Sequence, residues 1–231
     1  MMRHPSAVVT NFIAWVWLYY KVNTRGLSTV WWGRLLQKVP GFNMAAIQLG
    51  NGIWINDIDK NRDNERDYWK DNQPFACIAL VAHELWHVLQ KRSDKLARFK
   101  YISPQIYSVL ALPGVILAAA YGSYWVMGLG ILLMLSVLLP AHAPTRLLQE
   151  AEAYSWNRYV AELLCDNHEP TMRMLEVKRA EFLCGPGYYY MTRNFEEARS
   201  FLVRCERIPY TEPALQIHVK NAVEDLKKEV N

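Results

Sequence analysis

The sequence predicts a mainly α fold of the α+β type with a helical hairpin inserted into its central domain, and three observations carry that prediction. His83-Glu84-Leu85-Trp86-His87 lies in a long apolar stretch bounded by helix start and stop signals. From Tyr101 to Thr145 there is no Asp, Glu, Lys or Arg, an interval long enough for two apolar helices. Strand signals concentrate in one short segment, Met44 to Asn56. At 231 residues the chain has room for one sizeable domain or for one with a small annex. The divisions are an N-terminal helical or membrane-associated segment over 1–40, a core over 41–165 with the hairpin at about 104–140, and a C-terminal helical annex over 166–231.

Taken in chain order, Pro5 to Tyr20 is an uncharged run rich in Trp and Tyr, flanked by Arg3, Lys21 and Arg25. It is short against the roughly 20 residues a membrane span needs, and no small-residue cleavage site follows it. An interfacial anchor, a span and a core helix stay open; the aromatic content favours the membrane. Next, Met44 to Leu49 and Ile53 to Asn56 read as two strands around Gly50-Asn51-Gly52. Asp57 to Asp71 is dense in both charge signs and reads as a solvated loop or short helix.

Pro74 suits a first helical turn, and Lys91 and Arg92 suit a helix C-terminus. The stretch between them is apolar nearly all round, so the helix is expected to be buried. Residues four apart on a helix stand one above the other, so His83 and His87 present two imidazoles to one point. Glu84 projects beside them, where a general base would stand. A lone buried histidine is usually a satisfied core residue. Two at ligand spacing with a carboxylate between them point instead to Zn2+, which in hydrolytic sites takes three protein ligands and keeps one position open.

The third ligand has to come from elsewhere. Gln90 and Ser93 stand where a metzincin needs Gly and His, which excludes that class. Asp94 is too near the end of the motif's own helix to swing round. The next acidic residues are Glu150 and Glu152, on a helical stretch running from Leu147 through Leu164. Residues two apart on a helix point about 200° from each other, so only one of the pair can face the metal. Glu152 shares its face with Leu148, Trp156, Tyr159 and Leu163, the more apolar stripe, whereas Glu150 shares its face with Leu147, Tyr154, Asn157 and Ala161.

HExxH followed at a distance by Glu150-Ala151-Glu152-Ala153-Tyr154 resembles the gluzincin peptidases, especially the HtpX-like and CAAX-prenyl-protease-like membrane metallopeptidases. The resemblance covers roughly residues 45–160. It implies a zincin-like metallopeptidase domain with an inserted transmembrane helical hairpin, and it sets Glu150 at the third-ligand position. The departure is Tyr154, where the family has Asp; there a phenol could accept the N–H bond of a ligand imidazole.

Within the uncharged interval, two short spans run roughly from Pro104 to Tyr121 and from Tyr124 to Pro140, with Tyr107, Tyr121, Tyr124 and Trp125 as interfacial aromatics. His87 and Glu150 can share a metal only from one side of a bilayer, so the number of spans between them must be even. A hairpin satisfies that; a buried helical pair in a globular core is the competing reading. Lys91, Arg92, Lys95, Arg98 and Lys100 before it and Arg146 after it put the site on the cytoplasmic side.

Beyond Leu164 the chain reads as charged helices. Asn194-Phe195-Glu196-Glu197 is a capping-box pattern opening a helix to about Arg207, and Thr211-Glu212-Pro213 opens a last amphipathic helix. The loop Gly185-Pro186-Gly187-Tyr188-Tyr189-Tyr190 and His142 are candidate oxyanion stabilisers, aromatic packing being the plainer role for the loop. His168 and His218 are expected at the surface. The net charge of +4 is mild and its cations scattered, which leaves no nucleic-acid footprint. Cys77, Cys165, Cys184 and Cys205 lack CxxC spacing and read as reduced structural thiols.

Together these features point to an integral membrane, zinc-dependent endopeptidase. Its ligands are His83, His87 and Glu150, its base is Glu84, and Tyr154, His142 and Glu152 are supporting candidates. The implied partners are the lipid membrane and a protein or peptide substrate held as an extended strand against the sheet edge. A non-catalytic zinc-binding scaffold or chaperone-like protein is the alternative, against which an intact Glu84 argues. Hydrolysis of a non-peptide amide or ester is a third possibility.

Overall fold

In the computed structural model, which describes residues 5–38, 46–56, 73–94, 96, 112–135, 143–165, 168–185 and 191–230, the chain is mainly helical with one small sheet. The aromatic run forms helix α1 (Pro5–Tyr20). It ends where Lys21 enters the left-handed region at φ 55°, its amide donating to the Trp17 carbonyl at 2.9 Å. Strand β1 (Asn23–Gly26) and the short helix α2 (Trp31–Gln37) follow. The predicted strand pair is present as β2 (Ala46–Leu49) and β3 (Gly52–Ile55), antiparallel, with Gly50 taking the positive φ of 59° that the turn requires. The sheet order is β1-β3-β2, with β1 parallel to β3. No periodicity in Asn23-Thr24-Arg25-Gly26 marks β1 as a strand. It is a strand because the second edge of β3 offers its backbone groups a ladder.

The remaining helices are α3 (Pro74–Ser93), α4 (residues 112–120), α5 (Tyr124–Leu135), α6 (Pro144–Cys165), α7 (Glu169–Leu183), α8 (Phe195–Cys205) and α9 (Pro213–Val230). Two compact units divide the chain. The first consists of Met1–Arg92, Glu152–Met172 and Cys205–Asn231. Its core gathers Val9, Phe12 and Val16 of α1, Ile53 and Ile55 of β3, and Ile78, Val81 and Leu85 of α3. Trp156 and Val160 of α6 join them, with Leu215, Val219, Val223 and Leu226 of α9. That last set recurs every three or four residues, the stripe expected of an amphipathic helix. Across the polar margin of this core, Tyr20 Oη donates to Glu212 Oε1 at 2.9 Å. His218, expected at the surface, is instead half-buried and stacks on Trp15 with ring centroids 3.8 Å apart. The apolar stripe of α9 carries it inward, and burial lowers its pKa below the usual histidine value.

The second unit consists of Ser93–Ala151 and Arg173–Arg204. In it, α4 and α5 meet at a turn through Gly122, whose φ is 68°, so a helical hairpin stands where the uncharged interval predicts one. The two helices approach closely at one point, where a Cβ on Gly130 would sit 2.3 Å from Val115 Cγ2. The expected membrane spans find no support among the described residues, where no helix is long and apolar enough to cross a membrane. The described part of α5 has 12 residues, which at 1.5 Å each falls well short of a hydrocarbon core of about 30 Å. Residues 104–111 and 136–140 of the predicted spans lie outside the described residues. Elsewhere in this unit the amide of Ala143 donates to the Met191 carbonyl at 2.9 Å, and Arg199 pairs with Glu176 at 2.6 Å. Asn194 caps α8 as predicted, its Oδ1 accepting the amides of Glu196 and Glu197 at 3.0 and 3.3 Å. The reciprocal arm differs, because Glu197 accepts from Thr192 Oγ1 and the amide of Asn194 donates to that same hydroxyl.

Candidate metal centre

Helix α3 runs from a proline start to a basic end with Ala and Leu recurring between them, and it is buried along Cys77, Ile78, Val81, Ala82, Leu85 and Val88. His83 and His87 stand one turn apart on it with ring centroids 5.0 Å apart, inclined at 78°. His83 is only 5% exposed and His87 is half-buried. Helix α6 supplies the third group, Glu150, which is 2% exposed. One ligand atom from each of His83, His87 and Glu150 lies within 4.8 Å of the others, a buried cluster that could hold a metal ion. A tetrahedral ion with bonds of about 2.0–2.1 Å would draw such atoms to roughly 3.3 Å, a contraction within reach of side-chain rotation. The donor set fits: two imidazoles and a carboxylate suit a first-row divalent ion. It also answers a cost: the atom Glu150 Oε2 is buried with no hydrogen-bond partner among the described residues, which a cation would offset.

The two histidines are aimed by different partners. His83 Nδ1 lies 3.1 Å from Asn157 Oδ1, and a carbonyl oxygen there calls for a proton on Nδ1. The Nε2 lone pair is then the one left to bind a metal. Tyr154, expected to brace an imidazole through its phenol, instead meets the His83 ring edge-on, with centroids 4.7 Å apart at 75°. Asn157, one turn further along α6, makes the Nδ1 contact. The geometric reason is that residue 157 returns to within about 20° of Glu150 around the helix, whereas residue 154 is displaced by about 40°.

His87 Nδ1 lies 2.9 Å from Gln90 Oε1 on the same helix. Gln90 Nε2 in turn donates to Glu152 Oε2 at 2.7 Å, and Trp86 Nε1 donates to that oxygen at 3.2 Å. Glu152 therefore supports the site without belonging to the ligand cluster. Glu84, half-buried, leaves α3 about 100° around the axis from His83. His142 and Tyr188 to Tyr190 lie outside the described residues. His168 is exposed, its Nδ1 3.0 Å from Thr171 Oγ1.

Two residues of this arrangement escape a reading by motif. Gln90 enters the sequence argument only as the residue that excludes a metzincin, and Asn157 only as a neighbour of Glu150 on a helix face. The signal for both is spacing: an amide three residues after one ligand histidine, and another seven after the carboxylate. Comparison of the chain with protein-family models, curated proteins and solved structures finds no match.

Proposed function

We propose that this chain is a membrane-associated zinc endopeptidase in which His83, His87 and Glu150 hold the ion and Glu84 is the general base. The observation that carries the reading is the buried donor set of two imidazoles and one carboxylate, with a second carboxylate one residue from the first ligand. Zinc held there would supply Lewis-acid chemistry, polarising a carbonyl and lowering the pKa of a water toward about 7. Glu84 would take the proton of the attacking water and return it to the leaving amine as the C–N bond breaks. Asn157 and Gln90 would keep both imidazoles turned toward the ion.

A substrate strand would lie along the outer edge of β2, which among the described residues pairs only with β3. Arg92 at the end of α3 donates to Asn51 in the β2–β3 turn at 3.3 Å, which ties that hairpin to the helix bearing the histidines. Support for the membrane comes from the α4–α5 hairpin, whose apolar side chains are largely exposed, Trp125 at 92% and Tyr121 at 85%. Exposed apolar surface on that scale marks a contact site, and an uncharged 45-residue interval flanked by Lys and Arg suits a bilayer better than an aqueous partner.

The test is metal content together with cleavage of an unfolded protein, measured on wild type and Glu84→Gln in parallel. Bound zinc in both, with cleavage only in the wild type, is the expected result. Zinc without cleavage in the wild type would favour a binding scaffold, and no zinc in either would end the metal reading.

A further inference from the structure

We propose that Glu152 and Gln90 form a positioning relay that dictates which ring nitrogen of His87 carries the proton, so that the second carboxylate of α6 serves the metal site without touching the ion. The proposal rests on the reading of His87 as a metal ligand. Its logic runs outward to inward. Glu152 Oε2 receives Trp86 Nε1, a group that can only donate, at 3.2 Å, so this oxygen stands as an acceptor. The Gln90 atom facing that oxygen at 2.7 Å must therefore be the amide nitrogen. That choice leaves the Gln90 carbonyl oxygen to face His87 Nδ1 at 2.9 Å. A carbonyl only accepts, so Nδ1 must bear the hydrogen, and in a neutral imidazole the lone pair is then on Nε2.

Loss of Glu152 removes the acceptor that holds the nitrogen end of the Gln90 amide away from His87. A half-turn of the amide would offer N–H to Nδ1 and stabilise the opposite tautomer, whose Nε2 is protonated and cannot bind an ion. Trp86 and Gln90 are four residues apart on α3, so both donors reach one carboxylate from a single helix face. Glu152 and Glu150 stand about 200° apart around α6, which separates their tasks: one carboxylate offers a ligand atom, the other orients a ligand. His83 lies outside the relay, because Asn157 holds it directly.

The experiment uses the full chain labelled with 15N-histidine. Long-range 1H–15N spectra of the metal-free protein read the His87 tautomer, and competition with a chromophoric chelator reads zinc affinity. Wild type should show His87 protonated at Nδ1. Glu152→Leu should lose that preference and bind zinc about 10- to 100-fold more weakly. Gln90→Leu should lose a similar factor, and the double variant should be no weaker than the worse single one, because both break one chain. Asn157→Leu combined with Glu152→Leu should multiply the two losses. Should Glu152→Leu fail to fold, Gln90→Leu gives the same readouts from the other member of the relay. Folded variants that melt earlier but keep the wild-type tautomer and zinc affinity within twofold would overturn the relay. If the wild type binds no zinc, the metal reading fails, while the tautomer of the metal-free protein still decides whether Glu152 orients His87.

Discussion

His83, His87, Glu84 and Glu150 carry separable duties, and substitutions should separate them. Glu84→Gln keeps the shape of the side chain and removes its basicity, so cleavage should fall at least about 100-fold with zinc retained. A parallel loss of zinc would show instead that Glu84 is a ligand. Glu150→Ala removes one donor of the cluster and should lose more zinc affinity than any change to the bracing residues. Asn157→Leu leaves all three donors but unties His83 Nδ1, so its loss should stay within about 10- to 100-fold. Calorimetric zinc titration of the two variants tests the ranking, and an Asn157→Leu affinity below that of Glu150→Ala would reverse it.

At the scale of helices, α9 and α8 offer two measurements independent of the metal. Burial lowers the pKa of His218, so just below the usual histidine value of about 6.5 the unfolded chain binds a proton that the folded chain resists. Its contribution to stability is therefore complete above that pH and is lost as pH falls toward the folded pKa. His218→Phe keeps an aromatic ring against Trp15 and removes the titration, so melting temperature should vary less between about pH 7 and 5 than in wild type. An unchanged slope would show that the ring titrates as freely as in the unfolded chain. For α8, Asn194→Ala removes the acceptor for two amides of the first turn and should cost about 1 kcal/mol, read as a shift in denaturant midpoint. Retention of the wild-type midpoint would mean that the Thr192–Glu197 contact alone secures this helix start.

For the molecule as a whole, the open question is what meets the exposed face of the α4–α5 hairpin. If it is a bilayer, the full chain should need detergent for extraction. Tags inserted before Tyr101 and after Thr145 should then report the same cytoplasmic face. Release into detergent-free buffer as a stable species would remove the membrane from the reading and leave the metal chemistry standing. Tags on opposite faces would contradict the pairing of His87 with Glu150, since donors on two sides of a membrane cannot share an ion.

Local geometry controls the features that can be read from chain order. A helix places residues four apart on one face, so the pairing of His83 with His87 was legible before any tertiary contact. So were the bounds of α3, the β2–β3 turn at Gly50 and the Asn194 cap, because each depends on side chains within a few residues. The residues alone leave Glu150 and Glu152 as alternatives, and the family resemblance in register favours Glu150. Only the tertiary structure brought Glu150 into the cluster and gave Glu152 its different task. Asn157 and Gln90 acquire their roles through contacts that close over 74 and 62 residues, to His83 and to Glu152. Strand β1 exists because β3 presents a second edge, not because its own residues favour extension. Helical periodicity says which way a side chain leaves its own axis; which atom it meets depends on where another axis lies, and packing alone sets that.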